Sequence, residues 1–270
     1  MKRSFALVGL TLAVCALVCA QENSGNRVVV PGKNGSHART VEARVISGEI
    51  VVKTGSGNDV IVEVAGHGRT SAADSRTPAG MHRIDTPWNA PLQVEERGDV
   101  IHVEVSPRGL GDALTITVPA NISLKLNDIH GGIKVDGVHG EIDAETTHGD
   151  ITLTSVAGTV VANTVHGSLK VSMNQVDQSK PLAFTTMNGE IDVTLPADVK
   201  ANVKLRALRG EIWSDFEVKL TGSSNMTRLN RPGAGRYQIV LDKTMNGTIN
   251  GGGVDATFYT VNGKITIRRK

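Results

Sequence analysis

Glycine recurs every nine residues through the middle of this chain, at positions 131, 140, 149, 158 and 167. A fixed short period constrains a fold more than any other sequence feature, because each repeat must be one unit stacked on the next. Aligned on these glycines, five units read HGGIKVDGV, HGEIDAETT, HGDITLTSV, AGTVVANTV and HGSLKVSMN. Two places after each glycine stand Ile133, Ile142, Ile151, Val160 and Leu169. Four places after stand Val135, Ala144, Leu153, Ala162 and Val171. The residues between them, Lys134, Asp143, Thr152, Val161 and Lys170, are mostly polar. Alternate side chains of an extended backbone point to opposite sides. Each unit is therefore predicted to be a short strand with one buried face, closed by a turn at an x-Gly pair.

A nine-residue strand cannot bury its apolar face alone, but a stack of them can. Two arrangements satisfy the pattern. In a solenoid, each coil takes two or three units, and equivalent side chains stack at about 4.8 Å. In a meander, successive units pair antiparallel through tight hairpins. The strict period without insertions favours the solenoid. Weaker copies flank the block: SGEIVVKTGSGNDVIVEV (47–64), MNGEIDVTLP (187–196), LRGEIWSDF (208–216), MNGTING (245–251) and VNGKITIRR (261–269). Each has isoleucine two places after glycine, at Ile50, Ile191, Ile212, Ile249 and Ile265. No stretch after residue 20 has a sustained helical period. The expectation is one all-β domain over 41–270, interrupted by a surface loop at 66–91, where Pro78, Pro87 and Pro91 break the pattern. A second, less regular stretch is 219–236.

The first twenty residues read as a secretion signal: Lys2 and Arg3, an apolar run from Phe5 to Leu17, then Val18-Cys19-Ala20, cut after Ala20. That run is too short for a membrane anchor, and the valines before Cys15 and Cys19 do not fit a lipid-modified cysteine. Residues 21–40 then form an N-terminal extension. Both cysteines fall inside the signal, so an exported chain has no disulfide, zinc–thiolate or thiol chemistry. Removing Lys2 and Arg3 leaves 27 charges of each sign. That balance excludes a general nucleic-acid binder and a polybasic membrane binder, and no stable membrane insertion follows cleavage. Aromatics at 3% leave no large sugar-stacking platform.

His-Gly pairs are the one recurrent polar motif, at His130, His139, His148 and His166. Other repeats put Ser47, Ala157, Asn188, Arg209, Asn246 or Asn262 in the same place. A metal ligand could not be exchanged for alanine or arginine, but a turn residue could. Histidine and asparagine tolerate positive φ, and glycine takes the next position. The alternative is a metal site. In two-unit coils, His130, His148 and His166 would line one edge close enough to share Zn²⁺ or Cu²⁺. His139 would then lie on the opposite edge beside Ala157. In three-unit coils only one pair, His139 with His166, would stack. Glu141 and Asp150 could support the ligands from outside. No HExxH pattern points to a catalytic metal, and no cofactor is expected.

Glu141, Asp143 and Glu145 project from one side of a single strand, which reads as a solvated face with Lys134 and Lys170 to balance it. The period matches the calcium β-roll, but the required GGxGxD is missing. A serine elbow, a P-loop and a dinucleotide fingerprint are absent too. The signal, the x-Gly-x-Ile strands, LPADVKANVKLRALRGEIWSDF and the closing NGTINGGG and YTVNGKITIRR together resemble the bacterial putative-adhesin family. The most specific part is LPA (195–197), then Arg209-Gly-x-Ile and Ser-Asp-Phe (214–216). The resemblance covers roughly 41–270. It implies a right-handed β-solenoid in the cell envelope, periplasmic or extracellular, without implying chemistry.

Two functions follow as expectations. The first is a non-enzymatic scaffold that presents a rigid β-surface to a protein or a surface polysaccharide. Its last strand, with Arg268, Arg269 and Lys270, would guard a terminal edge against runaway pairing. The second is a polysaccharide-acting β-helix enzyme, drawing on Asp143, Glu145, Lys134 and the 66–91 loop with His67, His82, Asp85 and Trp88.

Overall fold

Strand residues alternate in burial as the repeat requires. In the computed structural model, residues 27–32, 39–64, 92–105, 113–221, 226–229, 238–241 and 244–270 are described. All the residues two and four places after the five repeat glycines are buried at 2% exposure or less. Strand β10 (His139–His148) lies parallel to β11 (Ile151–His166), with Gly140 opposite Gly158 and His148 opposite His166. Partners are eighteen residues apart, so a coil is two units. The solenoid is the fold, and the two-unit coil is its register.

The two halves of a coil lie in two walls. The first wall runs, in spatial order, β5 (Leu92–Arg97), β6 (Val100–Val105), β2 (Thr40–Ser47), β8 (Ser123–His130), β10, the second half of β11, β13 (Leu182–Asn188), β21 (Val254–Asn262), β15 (Ala201–Arg209), β20 (Met245–Ile249) and β17 (Lys219–Leu220). The second runs β1 (Arg27–Val30), β4 (Val60–Val64), β7 (Leu114–Val118), β3 (Ile50–Thr54), β9 (Ile133–Asp136), the first half of β11, β12 (Leu169–Val176), β14 (Ile191–Leu195), β22 (Ile265–Arg269) and β16 (Ile212–Ser214). Strand β11 turns the corner between the walls, with a register break after Leu153 and Ser155 at φ 54°. A separate antiparallel hairpin pairs β18 (Met226–Leu229) with β19 (Gln238–Leu241).

Between the walls lies a single apolar core. Side chains stack in it along each rung position. Leu114, Ile50, Ile133, Ile151, Leu169, Ile191, Ile265 and Ile212 follow one another through the second wall, and all but Ile212 are buried. Phe184 and Phe258 stack at 5.1 Å on neighbouring rungs. Burying each such side chain contributes about 1.5–3 kcal/mol, so the core needs no crosslink.

Coil order departs from chain order at both ends. The β2–β3 coil sits between β6–β7 and β8–β9, and the β21–β22 coil sits between β13–β14 and β15–β16. This corrects the expectation for the closing strand. β22 is not an edge, because β14 and β16 flank it on both sides. Arg268 instead binds Asp192 across rungs at 2.8 Å. Antiparallel strands β5, β1, β4, β20 and β17 close the ends, and the short β16 ends the second wall. Edges this short and irregular discourage pairing with another chain. MNGTING is likewise not a coil. It supplies β20, antiparallel to β15, with Ile249 buried opposite Ala201. The stretch expected as an extension before residue 41 contributes β1 and the start of β2. The 66–91 loop lies outside the described residues, as does much of 219–236.

Candidate functional site

One corner of the solenoid carries the repeat motif in register. Moving along the stack, the residue before the corner glycine is Ser47, His130, His148, His166, Asn188, Asn262 and Arg209. The glycines behind them, Gly48, Gly131, Gly149, Gly167, Gly189, Gly263 and Gly210, touch backbone to backbone. A Cβ on Gly149 would stand 1.9 Å from the carbonyl oxygen of Gly131, and one on Gly189 would stand 1.9 Å from that of Gly167. The glycines are thus required by contact between coils. Positive φ is not what places Ser, His, Asn or Arg before them: among the described residues only Ser155 and Asn250 are non-glycine residues with positive φ, whereas Gly48, Gly167, Gly210 and Gly263 themselves have φ of 137–158°.

Three places before these glycines stands a ladder that faces inward: Val45, Asp128, Thr146, Thr164, Thr186, Thr260 and Ala207. The hydroxyls of Thr146, Thr164, Thr186 and Thr260 donate to the carbonyls of Gly131, Gly149, Gly167 and Gly189 at 2.9–3.2 Å. Each therefore satisfies a corner acceptor that a purely apolar core would orphan. Thr164→Val is expected to lower stability by about 1 kcal/mol, read as a lower urea midpoint. An unchanged midpoint would mean that water serves the Gly149 carbonyl equally well.

Asp128 takes the same place in the ladder, at 1% exposure. Neither carboxylate oxygen has a hydrogen-bond partner of full geometry. Burial pushes its pKa up to about 6, against the nearby backbone N–H groups of Ile129 and His130 and the His130 ring.

Outside the glycines, His130 and His148 stack with ring centroids 5.1 Å apart, and His148 and His166 at 5.0 Å, with planes within 3°. The asparagines continue the row, Asn262 Nδ2 donating to Asn188 Oδ1 at 2.7 Å. His139 lies on the opposite edge, opposite Ala157 on one side and Asn121 on the other. Among the described residues, no three His, Cys, Asp or Glu side chains converge on a common point. Beside the histidine row runs a second outward rank: Ile46, Ile129, Thr147, Val165, Met187, Val261 and Leu208. Ile46, Ile129 and Met187 are 43%, 40% and 48% exposed.

Carboxylates elsewhere are engaged across rungs. Glu141 holds Lys180 at 2.6 Å, Glu145 accepts from Asn127, and Glu49 holds Lys134 at 2.6 Å. Burial raises the pKa of Glu42, but the Arg44 hydrogen bond and the charges of Lys125, Arg44 and His102 outweigh it and hold the carboxyl below its ordinary value. Asp143 and Glu145 face out from β10 in the first wall, whereas Lys134 faces out from β9 in the second. The structure does not bring these residues together. His67, His82, Asp85 and Trp88 lie outside the described residues. Among the described residues, no helix is long and apolar enough to cross a membrane.

Residues 17–250 match the model of the family Toastrack DUF4097. No curated protein matches the chain. Solved structures with similarity include a putative cell adhesion protein from Clostridium sporogenes, 10% identical, with 91% of this chain and 99% of that one covered and a TM-score of 0.38. Another is a putative adhesin from Bacteroides fragilis, 11% identical, with 90% and 96% covered and a TM-score of 0.35.

Proposed function

The chain belongs to the Toastrack DUF4097 family, and from that premise we propose that it is a non-enzymatic, exported scaffold of the cell envelope. In this role its rigid β-surface holds a surface polysaccharide or another protein, as an adhesin does. The corner is its main support: Ile46, Ile129 and Met187 stand exposed there, in one rank with Val165, beside a polar rank of His and Asn. An apolar strip rimmed by polar groups is the usual form of a contact surface. Repetition along the rungs suits an extended partner better than a compact one. The separation of Asp143 and Glu145 from Lys134, on different walls, supports binding over turnover.

The purified protein is expected to bind isolated envelope polysaccharide or envelope protein. Replacing Ile129 and Met187 together by Asp should weaken that binding roughly tenfold, about 1.4 kcal/mol, with an unchanged circular dichroism spectrum. Reducing ends released from neutral or uronate polysaccharides would overturn the non-enzymatic role. The secreted chain should begin at Gln21; a cytoplasmic chain still beginning at Met1 would overturn export.

A further inference from the structure

A coil of two units turns four scattered His-Gly pairs into one row of three imidazoles and one isolated histidine. The row stands on consecutive rungs, at the 5.0–5.1 Å ring spacing given above. All three rings are exposed. Among the described residues, the His148 and His166 rings make no side-chain hydrogen bond or ion pair, only ring stacking, His148 on both His130 and His166 and His166 on His148. Their ring nitrogens are thus open to a ligand.

We propose that His148, together with His130 or His166, binds one borderline divalent first-row cation of the Ni²⁺, Cu²⁺ or Zn²⁺ class. A ring nitrogen offers its lone pair in the ring plane, about 2.0–2.1 Å from a bound zinc. Parallel rings one strand spacing apart aim those lone pairs side by side. Rotation of two exposed side chains brings the nitrogens onto one ion, with water completing the shell. Imidazole donors favour these ions over Mg²⁺ and Ca²⁺, which require clustered oxygens. His148 belongs to both possible pairs, so the ladder takes one ion per chain. His166 is followed in the row by Asn188, which bonds to Asn262. This site stands independently of the adhesive role.

The test is a calorimetric titration of the purified, chelator-treated protein with Ni²⁺ and Zn²⁺. His148→Asn is the informative variant, because asparagine already fills the same corner place at 188 and 262. His139→Asn, on the opposite edge, is the control. Saturable binding at one ion per chain is expected, unchanged in the control. In His148→Asn it should weaken by more than the roughly 10–100-fold typical of losing an outer-shell partner. Ring NMR signals of His148 should broaden first on adding Ni²⁺. The proposal is overturned if no saturable binding occurs or if His148→Asn binds like the parent. It is also overturned if the signals of His37, His67, His82, His102 or His139 respond first.

Discussion

Gly149→Ala is expected to cost roughly 4 kcal/mol or more, among the largest effects of any single substitution. The added methyl would stand 1.9 Å from the Gly131 oxygen and 2.5 Å from its carbonyl carbon. Both are backbone, so no side chain can swing away. Relief requires two coils to part by more than 1 Å. Parting strains the bonds from Gly131 N to His148 O and from Ile133 N to Asp150 O, both at 3.0 Å, each worth about 1 kcal/mol. Gly98→Ala separates this mechanism from ordinary glycine conformational freedom. Gly98 has φ +64° and nothing within 4 Å of the added atom, so only the left-handed backbone penalty of about 1–2 kcal/mol applies. Thermal unfolding should show a drop of roughly 10 °C for Gly149→Ala and a few degrees for Gly98→Ala. Equal shifts would remove the stacked-glycine account.

The corner was legible as a period before its reason was. Glycine spacing and the apolar residues two and four places later specify strands, their buried faces and the stack, because burial and backbone contact act at every rung. Coil length was open between two and three units. Seven places after each glycine the structure separates Val138 and Val156, which are buried, from Thr147 and Val165, which are partly exposed, a difference that the residue types Val, Thr, Val and Val do not announce. Alternate units therefore meet different surroundings, as the two halves of one coil must. The threonine ladder had a sequence signal: TTHG, TVHG, TMNG and TVNG each place threonine three before glycine, and VISG, DIHG and ALRG are the corner exceptions.

What the chain did not disclose is which coils are neighbours. TMNGTI at 244–249 and TMNGEI at 186–191 are nearly identical. One enters an antiparallel end pair and the other a parallel corner. Local residues fix a strand's inward face, but the free ends of the walls choose its partner. The same reasoning misplaces ITIRRK. Its basic end resembles an edge guard until the β21–β22 coil is seen between two others, with Arg268 held by Asp192.

Asp128→Thr is expected to stabilise the protein at pH 7 by up to about 3 kcal/mol, with the gain vanishing near pH 4. The native carboxyl is raised from 3.8 to about 6 by burial. Between those values the native state binds more protons than the unfolded chain, so stability falls as pH rises from about 4 to about 6. Roughly two pH units at 1.36 kcal/mol each give the magnitude. A protonated Asp128 can donate to the Gly48 carbonyl as the threonines donate to theirs: the Gly48 oxygen and Asp128 Oδ2 lie 2.0 and 2.4 Å from the point where a Gly131 Cβ would stand. Above pH 6 that donor is gone and an ion is left in an apolar wall. Threonine restores the donor at every pH and continues the ladder from Thr146. Glu42, Glu95 and Asp177 have lowered pKa values and act in the opposite sense, losing stabilisation as pH falls. They are common to both proteins and cancel in the difference. Urea midpoints in chelator at pH 4 to 8 measure it. If Asp128→Thr is no more stable at pH 7, or if its advantage persists undiminished at pH 4, Asp128 is not a buried ion at neutral pH and the corner must hydrate it.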